Sequence, residues 1–302
     1  MKVNSKFRSF SLSLIWIWII VFAIVPNLAL VMISFLDRGL EAGNYFIPVL
    51  TLQNYIDLFI KTEFFNIFTR TFGLSLASTL VCLVIGYPFA YLLARSGNRY
   101  RHWLLMLLMI PFWTNSLIRT YAVSTILRLI SSFLIDNGFV SEPSFTLLYT
   151  NLAVFIGMTY TLLPFMILPL YASIEKLDVR LLDAARDLGA TPAYAFVKIT
   201  LPLTMPGIVA GSILVFLPAL GCFYVQEVLG GNSTVYLGSY IRDLFVGGTP
   251  NWPRGAAASM VLTLLLFMLA FLYRATSRRA SMEEPGRHGG FGGLKRRGGI
   301  AK

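Results

Sequence analysis

The chain has 302 residues, of which 56% are hydrophobic and only 13% are charged, and its mean hydropathy is +0.70. So few charged side chains cannot cover a water-soluble globule of this length, and the chain is therefore predicted to face lipid. The net charge of +11 does not indicate a nucleic-acid-binding protein, because the basic residues are spread around apolar runs and are not clustered on a polar domain.

Six stretches without charged residues are predicted to cross a bilayer, which takes about 20 largely apolar residues. They are residues 9–36, 71–94, 103–118, 143–174, 199–226 and 255–273. The third stretch is short, and we expect it to continue past Arg119 towards Ile126, with the arginine facing protein or water. The sequence therefore predicts an all-α membrane protein with six transmembrane helices.

A single membrane domain is predicted over residues 12–275, because no soluble linker divides the chain. Residues 1–11 precede it, and the basic, glycine-rich residues 276–302 are predicted to be a disordered tail. The mixed charges of residues 37–69 predict an amphipathic helix at the outer surface. Turn signals predict a second outer loop over residues 128–147.

The distribution of basic residues predicts the orientation in the membrane. Eighteen of the 25 Lys and Arg residues lie on the side that holds both termini and the loop 175–198, and the remaining seven lie on the other side. Lys and Arg accumulate on the cytoplasmic side of multi-pass proteins. We therefore expect a multi-pass protein of the bacterial inner (cytoplasmic) membrane, in contact with lipid, with both termini in the cytoplasm.

A polar loop over residues 175–202 separates the fourth and fifth apolar stretches. Charges that alternate in sign, followed by Gly189, predict a short exposed helix, and a second short helix is expected after Pro192. Gly189 can adopt the left-handed conformation, which costs other residues about 1 kcal/mol or more. The loop contains a spaced motif, whose residues are Asp183, Ala184, Ala185, Gly189, Ile199, Leu201 and Pro202.

This spacing resembles the EAA loop of ABC importer permeases, with Asp183 in place of the glutamate. In that family the loop forms the coupling helix, which lies along the cytoplasmic membrane surface and docks in a cleft of the ATP-hydrolysing subunit. The resemblance implies a type I ABC importer permease fold and an ATPase-docking role for the seven motif residues. An ordinary helical hairpin is the alternative, but six matches and one exchange of an acid for an acid disfavour it.

Four further stretches resemble the permeases of spermidine/putrescine importers: residues 111–119, 163–171, 203–208 and 255–259. The resemblance runs from about residue 12 to residue 275. It implies a complex of this chain with a sister permease, two cytoplasmic ATPase subunits and a periplasmic polyamine-binding protein. In that complex the ATPase subunits hold ATP and Mg, and this chain holds no cofactor.

The sequence does not indicate an enzyme. It contains neither a phosphate-binding Gly-x-x-x-x-Gly-Lys-Ser/Thr loop nor a Gly-x-Ser-x-Gly elbow. Cys82 and Cys222 lie in apolar runs, and His102 and His288 lie at a membrane edge and in the tail, so no metal site is indicated. We therefore predict a transporter subunit whose ATP is hydrolysed by its partner.

Polyamines are flexible cations that favour aromatic faces and carboxylates over fixed positive charges. The candidate residues for a substrate pathway are Trp113, Thr114, Asn115, Tyr160, Tyr224 and Glu227. Each has an ordinary alternative role, because Trp and Tyr anchor helices at membrane interfaces and Glu227 would be solvated at the outer surface.

Two other functions are considered. An importer of an anion or a metal chelate would use Arg119 and Arg128 as ligands. A membrane scaffold would dock an ATPase without transporting anything. The order of preference between spermidine and putrescine is not predicted, because in the family that the chain resembles most selectivity belongs to the binding protein.

Overall fold

The computed structural model describes residues 5–38, 47–140, 145–231 and 234–282. The α-helices are α1 (Ser5–Ile19), α2 (Val25–Ser34), α3 (Gln53–Ile60), α4 (Thr62–Arg95), α5 (Asn98–Trp113), α6 (Ser116–Asp136), α7 (Asn151–Glu175), α8 (Val179–Asp187), α9 (Pro192–Ala195), α10 (Leu201–Gly221), α11 (Phe223–Gly230), α12 (Leu237–Val246) and α13 (Trp252–Met282). The π-helical turns Ile20–Ile24 and Phe196–Thr200 join α1 to α2 and α9 to α10. The strands β1 (Leu36–Asp37) and β2 (Ile47–Leu50) form a two-stranded antiparallel sheet.

Six of these helical segments are long and apolar enough to cross a membrane, judged over the described residues. They are Leu12–Ser34, Thr62–Arg95, Ser116–Asp136, Asn151–Glu175, Pro192–Gly221 and Trp252–Phe271. The predicted number of spans and the predicted α-helical class are confirmed. The third span, however, lies further along the chain than predicted.

A break between α5 and α6 explains this difference. The side chain of Asn115 accepts a hydrogen bond from the backbone N–H of Leu117 at 2.8 Å and so caps the start of α6. The predicted third span, residues 103–118 continuing towards Ile126, was therefore misplaced, because counting uncharged residues does not show that the polar residues 114–116 end one helix and begin the next. The predicted outer loop over 128–147 was also wrong in part, since α6 continues to Asp136.

Helices α5 and α6 lie one after the other beside α7. The Arg101 side chain of α5 forms an ion pair with Glu175 at the last residue of α7, with an N···O distance of 2.7 Å. Near the other end of α5, the rings of Phe112 and Phe165 lie 5.2 Å apart. Further on, Ser131 of α6 accepts a hydrogen bond from the segment that precedes α7. The break between α5 and α6 therefore lies beside the middle of α7.

Helix α7 forms the centre of the bundle, with α4 and α10 packed against it. Its fully buried residue Met166 lies between Gly86 of α4 and Gly211 of α10. A Cβ atom on Gly86 would come within 3.2 Å of the Met166 side chain, and one on Gly211 within 2.8 Å of its sulfur. The two glycines therefore allow the three helices to approach closely.

The first span and the segments around α3 form the periphery. No residue of the most apolar window of Leu12–Ser34 is buried inside the chain, although α2 packs against α13 and Ser34 is buried at the end of the span, so most of this helix faces lipid or a partner. The amphipathic helix predicted within 37–69 is α3, which buries Leu58, whereas Thr62 already begins the second span. Helix α13 continues to Met282, past the predicted domain boundary at 275, and residues 283–302 lie outside the described residues.

Candidate functional site

The polar loop folds as a compact unit at one end of the bundle, which we call the loop end. Helix α8 begins at a capped residue: the Asp178 carboxylate accepts a hydrogen bond from the backbone N–H of Arg180 at 3.0 Å. The next helix, α9, starts in the same way, because the Thr191 hydroxyl accepts from the N–H of Tyr194. These caps satisfy backbone donors that would otherwise lack partners at the helix starts. The second short helix predicted after Pro192 is thus present.

Gly189 ends α8 in the left-handed conformation that the sequence predicted, with φ of +82°. The N–H of Gly189 donates to the carbonyl of Arg186 at 2.8 Å, and the N–H of Ala190 donates to the carbonyl of Ala185 at 2.9 Å. This pair of bonds is the Schellman arrangement, which turns the chain sharply away from the helix axis. A Cβ atom at Gly189 would meet nothing within 4 Å, so the requirement for glycine comes from the backbone alone.

The two alanines of the motif lie on different sides of α8, one buried and the other exposed. Ala185 is buried in a small apolar cluster with Leu177, Leu182 and Ala195, so its small side chain serves the packing of the loop itself. Ala184 is exposed beside Asp183, and Leu188 is 90% exposed at the end of the helix. The exposed residues Asp183, Ala184, Asp187 and Leu188 lie on one face of α8, which we call the outward face.

The last three motif residues lie where the loop joins α10. Ile199 packs partly against the loop cluster, and Leu201 packs partly against the main core. Pro202 is exposed and has no N–H to donate to the helix. The chain forms the π-helical turn Phe196–Thr200 immediately before it. The motif residues thus connect the loop cluster directly to the bundle.

Two of the six predicted pathway residues, Tyr224 and Glu227, lie together in α11, beside a second broken helix. Helices α10 and α11 are interrupted at Cys222, and the break lies next to the break between α5 and α6. Across it, the hydroxyls of Tyr224 and Ser116 are hydrogen-bonded at 2.6 Å. We call this region the helix junction. Its backbone groups are released from the helical ladder, as in the discontinuous helices that form substrate sites in some membrane transporters.

A cavity of about 510 Å³ opens beside the helix junction. Its lining residues include Tyr224, Glu227, Tyr121, Tyr149 and Arg128. The Arg128 guanidinium donates a hydrogen bond to the Tyr149 hydroxyl at 3.3 Å. The cavity thus combines aromatic faces with one carboxylate and one guanidinium. This mixture can hold a chain that carries both apolar and charged groups.

Glu227 is not simply a solvated carboxylate. Its Oε1 atom lies 3.3 Å from a guanidinium nitrogen of Arg242, and both side chains are about half exposed. Arg242 also pairs with Asp243 at 2.9 Å. The carboxylate charge that a cationic substrate would meet is therefore partly balanced before the substrate arrives.

The other four predicted pathway residues do not line this cavity, although Thr114 and Asn115 form the break between α5 and α6 itself. Tyr160 lines a mainly apolar cavity of about 220 Å³ that also contains Pro111. Trp113 is 77% exposed, Thr114 donates to a backbone carbonyl of α5, and Asn115 is the cap of α6. Tyr160 and Trp113 are therefore exposed side chains outside the cavity that Tyr224 and Glu227 line.

Sequence reasoning missed Ser116, Arg242 and Tyr149 as members of this region. Tyr149 has a φ of +63°, which is rare for a residue with a side chain, and its N–H donates to the carbonyl of Leu229 at 2.8 Å. No sequence signal marks this conformation, because it depends on a bond to a distant helix. Ser116 could have been found, since it belongs to the polar patch that follows Pro111.

A larger cavity of about 790 Å³ lies at the far end of the bundle, opposite the loop end. The hydroxyls of Thr234 and Tyr236 both donate to the side-chain oxygen of Asn151, at 2.7 and 2.9 Å, and Arg70 is exposed on the same wall. Burial raises the pKa of Tyr236, although Thr234 and Arg70 oppose the rise. The phenol therefore stays protonated and acts as a donor.

Over the described part of the chain, no group of three His, Cys, Asp or Glu side chains could hold a metal ion.

Comparison with known sequences gives consistent matches. The family model described as "Binding-protein-dependent transport system inner membrane component" matches residues 86–282. The chain is 44% identical over 274 residues to the spermidine/putrescine transport system permease protein PotB of Haemophilus influenzae, covering 90% of this chain and 94% of that protein. It is 43% identical over 264 residues to the protein of the same name from Escherichia coli K12, covering 86% and 94%.

Comparison with solved structures supports the same architecture. A bacterial ABC transporter involved in the import of the acidic polysaccharide alginate contains a chain that superposes with a TM-score of 0.73 at 19% identity, covering 91% of this chain and 95% of that one. A chain of the MetNI methionine ABC transporter, in an inward-facing conformation, superposes with a TM-score of 0.56 at 20% identity, covering 71% and 94%. At such low identity these matches show the fold alone.

Proposed function

The chain belongs to the family of binding-protein-dependent transport system inner membrane components, and on that premise we propose that it is the permease subunit of an ATP-driven importer of spermidine and putrescine. The observation that carries the substrate is the 43–44% identity, over 86% or more of the chain, to relatives named for spermidine/putrescine transport. Permeases of this family lack an ATPase site of their own, so the energy comes from a partner subunit.

The outward face of α8 is the proposed contact with the ATPase. It combines one apolar side chain, Leu188, with the acids Asp183 and Asp187 and the small Ala184. A protruding apolar side chain with a polar surround is the usual composition of a docking surface. Two ATPase subunits holding ATP and Mg, a sister permease and a periplasmic polyamine-binding protein complete the proposed complex.

The proposed orientation places the loop end in the cytoplasm, together with both termini. The support is the excess of Lys and Arg on that side of the predicted topology. An ATPase that binds the loop end would then meet cytoplasmic ATP, and the far end would face the binding protein. Import proceeds from the far end to the loop end.

The substrate pathway is proposed to pass the cavity beside the helix junction, with Tyr224 and Glu227 as its first contacts. An ammonium group favours an aromatic face and a carboxylate within about 6 Å. Arg242 competes for the Glu227 carboxylate, so binding would be weak and reversible, as a substrate in transit requires. Trp113, Thr114, Asn115 and Tyr160 are proposed to contact the substrate only in other states of the transport cycle.

An importer of anions is the second candidate, because Arg128 lines the same cavity as Glu227 and Arg119 lines the adjoining one. The hydrogen bond from Arg128 to Tyr149 occupies part of this guanidinium, which weakens the case. The pairing of Glu227 with Arg242 leaves the local charge close to balanced. The polyamine therefore remains the preferred substrate on the strength of the sequence relatives.

Transport by the purified complex in proteoliposomes tests this proposal. Radiolabelled spermidine should accumulate only with ATP and the binding protein, and unlabelled spermidine should compete while sulfate should not. Competition by sulfate instead would support the anion importer, and ATP hydrolysis without any uptake would support a scaffold. The single chain should hydrolyse no ATP, since it lacks a phosphate-binding loop, and hydrolysis above background would contradict the proposal.

A further inference from the structure

A buried chain of hydrogen bonds connects the second span to the junction of the polar loop with α10. The hydroxyl of Tyr87, in α4, lies 2.9 Å from the hydroxyl of Thr204, in α10. Thr204 in turn donates to the backbone carbonyl of Thr200 at 2.8 Å. Because a threonine hydroxyl has a single proton, its donation to Thr200 makes Tyr87 the donor to Thr204. All three residues are buried.

Tyr87 is linked to both ends of the π-helical turn, directly to Phe196 and through Thr204 to Thr200. Thr200 is the last residue of that turn and lies between the motif residues Ile199 and Leu201. Phe196 is its first residue, and its ring packs edge-on against the Tyr87 ring with the centroids 5.5 Å apart. A displacement of this turn must therefore displace Tyr87, or else break a buried hydrogen bond and a ring contact.

The two segments joined by Tyr87 are both places where a helix deforms easily. A π-helical turn is a rare insertion in an α-helix and can give way to regular α-helical bonding. In α4, Pro88 follows Tyr87 directly, and its missing N–H leaves the ladder one bond short at that level. The contact thus joins one compliant point in the loop connection to another in the second span.

We propose that Tyr87 is a positioning residue that transmits movement of the polar loop to α4. The inference rests on the proposed function, because it assumes that an ATPase moves the loop. Displacement of α8 moves the turn Phe196–Thr200, the hydroxyl chain through Thr204 carries Tyr87 with it, and α4 bends at Pro88. The hydroxyl of Tyr87 then serves coupling and not merely packing.

The test compares Tyr87→Phe with Tyr91→Phe in the reconstituted complex. Tyr91 lies one turn further along the same helix, its ring stacks with Arg95, and its hydroxyl has no part in the chain to Thr200. Uptake of spermidine and hydrolysis of ATP are both measured with the binding protein present. Loss of one buried hydrogen bond should lower uptake about three- to tenfold in Tyr87→Phe. ATP hydrolysis should change by less than about twofold, so that more ATP is used per substrate.

Two variants of Thr204 complete the design. Thr204→Val keeps the shape of the side chain without its hydroxyl and should raise the ATP used per substrate, as Tyr87→Phe does. Thr204→Ser keeps the hydroxyl and should therefore preserve coupling. The double variant Tyr87→Phe with Thr204→Val should be no worse than the poorer single variant, because both remove one interaction.

The outcomes separate coupling from folding and from the proposed function. A fall in uptake and ATP hydrolysis in equal proportion, with lower yield of the complex, would assign Tyr87 a structural role and overturn the inference. An unchanged ratio in Tyr87→Phe would overturn it as well. If the wild-type complex takes up no spermidine, the proposed function fails first, independently of Tyr87.

Discussion

The polar loop and the helix junction are built by different means. In the loop, the helix caps, the turn at Gly189 and the small apolar cluster all involve residues between Leu177 and Ile199. In the junction, the hydrogen bond between Ser116 and Tyr224 joins residues 108 positions apart. The loop is therefore a locally determined unit, whereas the junction exists only when distant helices are already packed.

This difference bears on how the two regions work. A unit that keeps its shape through local bonds can transmit force as a rigid body, as contact with an ATPase would require. A junction of helix ends has fewer ladder bonds to break and can change shape more easily. Rigidity therefore lies in the part of the loop that ends at Ala195, and adaptability lies in the π-helical turn that follows it and in the middle of the bundle. The following substitutions test this division.

The largest effect is expected from Gly189→Val, which tests whether the loop must be rigid. A β-branched residue at φ of +82° adds about 1–3 kcal/mol of strain, which lowers the equilibrium constant for the native turn by about five- to 150-fold. Spermidine uptake and stimulated ATP hydrolysis should fall together, while the six spans still insert. Gly189→Asn is the matched control, because asparagine tolerates this conformation and should retain most activity. Normal uptake and normal co-purification of the ATPase with Gly189→Val would mean that the loop is only a connector.

A smaller effect is expected from the pair Ala185→Asp and Ala184→Asp. This pair distinguishes the buried side of α8 from its outward face. Ala185→Asp places a carboxylate in the apolar loop cluster, where even a neutral polar group without a partner costs about 1–3 kcal/mol, and should make the loop sensitive to limited proteolysis. Ala184→Asp should leave the loop resistant to protease but weaken capture of the ATPase. Equal protease sensitivity of the two variants would show that α8 does not have the two faces described here.

A moderate effect is expected from Tyr224→Phe at the helix junction. The change removes the hydroxyl bonded to Ser116 and keeps the ring, so uptake should fall about threefold to tenfold with basal ATP hydrolysis unchanged. Tyr121→Phe is the control, since it lines the same cavity without that bond to Ser116. If Tyr224→Phe destabilised the whole complex, measured by thermal unfolding, the junction would be as rigid as the loop and the contrast would fail.

The smallest effect is expected from Glu227→Gln. Because Arg242 already balances part of this carboxylate, we expect a fall of about twofold to threefold in uptake at limiting spermidine. Assembly and basal ATP hydrolysis should be intact. Arg242→Gln is the companion, since it frees the carboxylate and should strengthen binding of the cation. Unchanged uptake in Glu227→Gln would return this residue to the role of an ordinary surface ion pair.

Local patterns in the sequence determined much of this protein. Counting apolar runs was enough to predict six spans, because the bilayer imposes one length on every helix that crosses it. The turn at Gly189 was predicted with its positive φ, because a Schellman turn depends on a few consecutive residues. The spaced motif also identified the polar loop, although it could not show that Ala184 is exposed and Ala185 is buried.

Only the tertiary structure decided the rest. The break at Asn115 lies inside an uncharged run; its cap is local, but whether the chain breaks there depends on how the surrounding helices pack. The positive φ of Tyr149 is accompanied by a hydrogen bond to Leu229. The hydroxyl of Tyr87 has its hydrogen-bond partner, Thr204, in another span. Contacts between residues far apart in the chain leave no periodicity to read, and therefore they appear only once the helices have packed.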